Sequence, residues 1–412
     1  MVKAKTARAT VSPGLMPQSR RSVVCGRIRG HELNDIFHAV FSTQGFVLGT
    51  LVPFLFVLTV VVFVHEMGHY LIGRWCGIGV KAFSIGFGPE LVGFNDRRGT
   101  RWKLCAIPLG GYVKFVGDMN ATSSQPSAEE IESLTDAERE VAFHTQPIWK
   151  RAATVVAGPL FNFLLTIAVF AVLFSLYGRP VLEPTVAQVT AGSPAEKAGI
   201  QPGDRFVKVD GSKVETFADV QRLVSGRAGD AITFTMLRDG KEIIVTATPE
   251  PMEQQDALGN KVKVAVIGVV NNAELGQPRL ISYTPAGAVV AAVEETGHVI
   301  ERTGQFLQRF ALGREDKCQL GGPIKIAKMS GQAAKLGFEW LVQLVAFLSV
   351  GIGFLNLLPI PPLDGGHLLF YGVEAVIRRP VSERMMEMAY RTGLFLVLGF
   401  MGFVFWNDLF GC

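Results

Sequence analysis

Nineteen consecutive residues, Phe46 to Val64, carry no charged side chain, and the next five are His-Glu-Met-Gly-His. About 20 apolar residues is the length of a membrane-crossing helix. A helix also satisfies its own backbone hydrogen bonds, as lipid requires. Ionisable side chains in such a helix are expensive, roughly 2.5–3.5 kcal/mol each at its centre on insertion scales, so they are kept for a function. The spacing indicates which one. His65 and His69 are four residues apart and share a helix face, where both imidazoles can reach one cation. Glu66, beside the first histidine, is placed to take a proton from water activated by that cation.

The rest of the chain fits a membrane setting. It has 412 residues, 49% of them hydrophobic, with a mean hydropathy of +0.30. That balance is too apolar for an ordinary soluble protein and too polar for one wholly in lipid, so spans and a soluble module are expected together. Three more uncharged stretches follow: Ala152–Gly178, Trp340–Leu363 and Thr392–Asn407. The expectation is a polytopic α-helical membrane protein with about four transmembrane helices: the first in 46–118 with the histidine motif, then 152–178, 336–364 and 392–408. The lipid bilayer is its first partner. The net charge is only +4 and no basic face is interleaved with aromatics, so nucleic acid is not an expected partner. The five cysteines are scattered, with no CxxC pair, and imply no disulfide framework.

Residues 1–45 form a basic tail, with seven Lys/Arg and no acidic residue in the first 30. Residues 81–118 are rich in Gly, aromatic and β-branched residues. They read as short strands around a Gly110-Gly111 turn, a membrane-associated β-hairpin region. Residues 119–151 read as a polar cytoplasmic loop. Residues 183–250 alternate strand-like runs with Gly-containing turns and one helical segment, a compact α+β domain. In the connecting region 251–335, residues 286–311 have the pattern of an amphipathic helix, to lie on the membrane surface or pack on the soluble domain. A second cytoplasmic loop covers 365–391. Arg378, Arg379, Arg384 and Arg391 in that loop, with Arg74, Lys150 and Arg151, place both loops in the cytoplasm by the positive-inside rule. The α+β domain is then extracytoplasmic and the histidine motif lies toward the cytoplasmic side. The basic tail weighs against this orientation.

A catalytic zinc site needs a third protein ligand. The third apolar stretch ends Asn-Leu-Leu-Pro-Ile-Pro-Pro-Leu-Asp-Gly-Gly-His, residues 356–367. Its prolines must break the helix, leaving Asp364 and its glycine pair on irregular backbone. Asp364 is the first candidate for the ligand and His367 the alternative. The pair HEMGH and NLLPIPPLDGG resembles the site-2 protease family of intramembrane zinc metalloproteases. FSIGFG (83–88), LGGYVK (109–114), GPLFNF (158–163), GPIKI (322–326) and PVSER (380–384) bring it near the bacterial regulator of sigma-E protease in a single-PDZ form. Residues 193–204 carry the PDZ resemblance.

The resemblance implies zinc as cofactor, with His65, His69 and Asp364 as metal ligands and Glu66 as catalytic base. It implies substrate binding by Asn356 and by Gly110 and Gly111, the latter through an added strand. Asn162 falls in the second-span motif, where a polar residue either bonds between helices or handles substrate. The implied activity is cleavage, in the inner membrane, of single-span proteins such as an anti-sigma factor or remnant signal peptides. A protease-dead PDZ scaffold and a zinc transporter are the competing readings. The first is disfavoured by the complete histidine, glutamate and aspartate set, the second by the nearly charge-free remaining spans.

Overall fold

The computed structural model describes residues 47–117, 134–181, 183–214, 216–255, 261–271, 279–313, 320–379 and 381–411. The expected basic tail 1–45 and much of the expected loop 119–151 lie outside them. Among the described residues, four helices are long and apolar enough to cross a membrane: α1 (Val52–Trp75, entered through a wider turn at Val47–Leu51), α3 (Ile148–Leu176), α8 (Phe338–Asn356) and α10 (Glu383–Trp406). The β-branched run Val60–Val62 would weaken a helix in water. In lipid, an unpaired backbone costs more, and the helix holds.

Helices α1, α3 and α8 form the centre. Val57 and Val61 of α1 are buried with Leu341, Leu344 and Val345 of α8. Small residues bring the backbones close, as membrane packing favours. A Cβ on Gly68 would lie 2.4 Å from the Ala157 carbonyl oxygen, and one on Gly353 would lie 3.1 Å from Asn162 Cβ. Helix α10 instead shows Phe395, Leu396 and Leu398 outward, at 58–76% exposure. That is an unfavourable surface in water and an ordinary one against acyl chains.

The third apolar stretch departs from expectation. Helix α8 stops at Asn356, short of Pro359, Pro361 and Pro362, as prolines without N–H groups require. The chain turns and restarts at once, so Asp364 and its glycines open a second helix, α9 (Asp364–Ile377), rather than sitting on irregular backbone. Much of the expected loop 365–391 is thus helical, and α10 begins at Glu383 rather than near 392. The glycines allow this tight return. A Cβ on Gly365 would meet the Leu358 carbonyl oxygen at 2.2 Å, and one on Gly366 would meet Pro361 N at 2.6 Å.

The β region after α1 consists of β1 (Val80–Asn95) and β2 (Arg101–Phe115), each bent back on itself. Residues 82–85 pair with 101–104 on one side and 111–114 on the other, while 90–95 pair with 101–105. The result is four paired segments, with 111–115 along one edge: 82–85 runs opposite to 111–114 but in the same direction as 101–104, which in turn runs opposite to 90–95. The turn between the strands lies at 96–100, so Gly110-Gly111 is inside β2 and is not the turn. Asp96 organises that turn. Burial alone would raise its pKa, but hydrogen bonds from the Thr100 and Arg98 backbone, the Trp102 indole and the Tyr70 hydroxyl outweigh it and hold the carboxyl at about 2. Through Tyr70, the sheet is tied to α1. A short capped helix, α2 (Asp136–Val141), precedes α3.

The α+β domain follows. A strand pair links β3 (Arg179–Val181) to β12 (Arg279–Ile281) at its base. Strands β4 (Val186–Val189), β5 (Arg205–Val209) and β6 (Ser212–Lys213), helices α4 (Pro194–Lys197) and α5 (Phe217–Val224), and strands β7 (Ile232–Arg238) and β8 (Lys241–Ala247) come next. The main sheet has the order β6-β5-β7-β8. Phe206, Ile232, Phe234 and Met236 are at most 1% exposed and pack with Phe217, Val220 and Val224 of α5. The domain does not end at 250. A hairpin of β9 (Glu250–Gln255) and β10 (Lys261–Val266) leads to Ile267 in the same core and to β11 (Val269–Asn271), which pairs with β4.

Helix α6 (Pro285–Ala311) covers the expected amphipathic segment. Its small face, Ala288, Ala291 and Ala292, is buried on Phe170 and Phe174 of α3. It also reaches the soluble domain through Arg222–Glu301 at 3.5 Å. Helix α7 (Pro323–Leu336) completes the fold beside α8.

Candidate metal centre

The site is assembled from three directions. Helix α1 carries His65, Glu66 and His69, the first residue of α9 is Asp364, and α3 lies behind the histidines. His65 Nε2 is 3.2 Å from His69 Nε2 and 3.2 Å from Asp364 Oδ2, and His69 Nε2 is 3.6 Å from Asp364 Oδ1. One donor atom from each of the three residues lies within 4.8 Å of the others. Asp364 Oδ2 is buried without a well-aligned hydrogen bond. Electron-pair donors gathered this tightly repel one another unless a cation lies among them, and two imidazoles with one carboxylate are a donor set of catalytic zinc. The residues present therefore fit the metal.

Glu66 is half-buried next to the set, near enough for the charges of His69 and Asp364 to act on it, and accepts a hydrogen bond from the Val113 backbone on the β2 edge. Gly111 lies against it: a Cβ there would be 3.1 Å from Glu66 Cγ and 2.7 Å from the Ser84 carbonyl oxygen. Gly110, at φ +107°, packs on the Phe87 ring. Asn356, at the end of α8, brings its amide nitrogen to 3.5 Å from His65 Nε2. The alternative ligand, His367, is turned elsewhere, with its ring nitrogens 2.9 Å from the Tyr390 hydroxyl.

Helix α3 contributes, beside Asn162, what sequence reading missed. Thr154, Gly158, Asn162 and Thr166 recur every four residues and are all buried. Four-residue spacing keeps them on one face. The Thr154 carbonyl oxygen is 2.9 Å from His69 Nδ1, Asn162 Nδ2 is 3.2 Å from His65 Nδ1, and Gly158 leaves the room both rings occupy. That period of small and polar residues in an apolar span was the available signal. One helical turn earlier, Arg151 and Glu374 pair at 2.8 Å, at 7% and 16% side-chain exposure, joining α3 to α9.

Residues 53–400 match the model of peptidase family M50. A protein of Mesorhizobium japonicum named "Putative zinc metalloprotease mll0638" is 88% identical over 365 residues, 89% of this chain and 100% of the relative. A Brucella suis protein with a name of the same form is 62% identical over 90% of this chain and 98% of its own length. Metalloprotease MmpA of Caulobacter vibrioides is 40% identical, covering 87% and 95%. Among solved structures, a PDZ domain of an SdrC-like protein from Listeria monocytogenes aligns with 22% of this chain and 88% of its own, at 17% identity and a TM-score of 0.18. The family match, over a chain with four membrane-length helices and a buried two-histidine, one-aspartate cluster, makes this protein a member of peptidase family M50, the site-2 protease family of zinc metalloproteases.

Proposed function

We propose that this metalloprotease works within the bilayer, hydrolysing a peptide bond in the transmembrane segment of single-span proteins. The observation that carries the proposal is the placement of the donor set: His65 and His69 lie on a membrane-length helix, and Asp364, just past the end of a second one, closes on them. Zinc held by these three residues supplies Lewis acidity to the scissile carbonyl and makes water acidic enough to attack near neutral pH. Glu66 takes the proton of the attacking water and returns it to the leaving amine. Val113 and Gly111 fix its carboxylate from the strand side.

Asn356 is the residue to hold an unwound substrate backbone, since an amide both donates and accepts. The 111–115 edge runs past Glu66, so a substrate added there as a strand would pass the base. A helical substrate has its peptide bonds engaged in hydrogen bonding and must unwind first, which residues of low helix propensity near the cut favour. The substrates proposed are anti-sigma-factor-like membrane proteins already trimmed by another protease, or remnant signal peptides. The enzyme sits in the bacterial inner membrane with the 183–271 region outside, acting as a PDZ domain that captures or filters substrates.

The test is Glu66→Gln in the full-length protein. Cleavage of a membrane-embedded model substrate should vanish while zinc content and folding remain. Persisting cleavage would remove Glu66 from the mechanism and this reading with it. A scaffold or a transporter would leave wild-type protein without proteolysis at all.

A further inference from the structure

We propose that Asn162 is a positioning residue for the metal: its side-chain oxygen accepts the Nδ1 proton of His65 and so turns the Nε2 lone pair toward the cation. The inference rests on the ligand set argued above. A neutral imidazole has one N–H and one lone pair, and the partner of one nitrogen decides which of them faces the metal. For His69 the partner is a backbone carbonyl, Thr154, at 2.9 Å from Nδ1. A carbonyl only accepts, so Nδ1 carries the proton and Nε2 is open. For His65 the partner is an amide, which can face Nδ1 with either end.

Proton bookkeeping chooses between the two. If the amide nitrogen donated to Nδ1, the His65 proton would sit on Nε2, pointed at His69 Nε2 only 3.2 Å away and closed to metal. In that pose the Asn162 oxygen is the end left buried without a hydrogen-bond partner; a half rotation puts the nitrogen there instead, so access of the metal to Nε2, and not this orphan, decides. Turned by half a rotation, that oxygen takes the Nδ1 proton, and both histidines present open Nε2 atoms to one point. Asn162 is built to hold still while doing this. It is fully buried, its backbone carbonyl accepts from Thr166 and Ser349 hydroxyls at 3.0 Å each, and its Cβ abuts Gly353. Helices α3 and α8 thus clamp the residue that aims a ligand on α1.

The test compares Asn162→Leu, which removes the acceptor at similar volume, with Asn162→Asp, which keeps an acceptor. Full-length protein in detergent is read by zinc competition against a chelator, by the visible spectrum of the cobalt-substituted protein, and by melting of the metal-free form. The leucine variant should bind zinc about 10–100-fold more weakly, the range for lost partners of ligating histidines, with an altered cobalt spectrum. The aspartate variant should stay within about threefold of wild type. Metal-free melting should be alike in all three. Asn162→Ala is read the same way if the leucine variant does not fold. Wild-type zinc affinity in the leucine variant, or equal loss in both variants, overturns the role. Wild-type protein that holds no zinc overturns the ligand set itself.

Discussion

Gly158→Ala is the smallest change the site should not tolerate. The added methyl would lie 2.3 Å from His69 Nε2, 2.5 Å from its Cε1 and 2.9 Å from His65 Cε1. Ordinary contact between such atoms begins near 3.5 Å, so the His69 ring must retreat by about 1 Å. Metal–ligand distances tolerate only about 0.2 Å. Rotation offers no escape, because His69 Nδ1 is held by the Thr154 carbonyl at 2.9 Å. Nor can α1 back away as a body without opening its close crossing of α3 at Gly68. Losing a supporting partner of a ligand costs 10–100-fold in affinity, and displacing the ligand itself should cost more, so zinc binding should weaken by more than about 100-fold. The backbone gives no opposing penalty, since alanine is favoured over glycine in a helix by about 1 kcal/mol. Zinc per chain after dialysis against a graded chelator measures this, with Gly351→Ala as control: that glycine of α8 has open space where a Cβ would go. If Gly158→Ala keeps zinc as wild type does, the donor set is not where the geometry puts it.

Two further outcomes follow from ion pairs, one beside the site and one in the soluble domain. Glu374→Ala strands the buried Arg151 guanidinium, leaving it the Gln146 carbonyl and the Tyr371 ring. Breaking a buried pair costs about 3–5 kcal/mol, so the melting temperature should fall, and zinc affinity with it because α9 begins at Asp364; unchanged melting and zinc titration curves would refute the coupling. In the soluble domain, burial would raise the Asp204 pKa, but hydrogen bonds from Arg238 and the Gln201 backbone outweigh it and hold it below the usual range. A depressed folded pKa adds stability above the unfolded value of about 3.9 and loses it as pH falls through the folded one. Hydrogen-exchange protection of this domain in the full protein should therefore be level from neutral pH down to about 5 and decline below about 4. Asp204→Asn should lower it by about 1–3 kcal/mol at neutral pH, less than a fully buried pair because Arg238 is 28% exposed, and should flatten the acid decline.

What could be read from the sequence was what a single element decides. The histidines are four apart, so any helix brings them to one side, and 19 uncharged residues before them leave little but a helix in lipid. The apolar spans follow from the same reasoning. Asp364 was legible as a ligand candidate but not in its setting: Asp-Gly-Gly after three prolines is turn chemistry by local rules, and only contact with Leu358 and Pro361 shows that the glycines let a helix begin there. The domain end at 271 rather than 250 was hidden for a similar reason, because β11 belongs to the domain only by pairing with β4 some eighty residues earlier.

The packing roles of three glycines were hidden for a common reason. Gly158, Gly111 and Gly365 each stand where another part of the chain needs space: the two imidazoles, the Glu66 methylene and the Leu358 carbonyl. A glycine's local signal is a turn or a weak helix position. Its meaning here is set by the atoms that would collide with a Cβ, and those atoms are 27 to 49 residues away for Gly111 and about 90 for Gly158. Side chains that do the chemistry announce themselves by type and spacing. The absent side chains that let them converge can be recognised only after the helices have met, which is why Gly158→Ala probes the assembled site more directly than removing a ligand would.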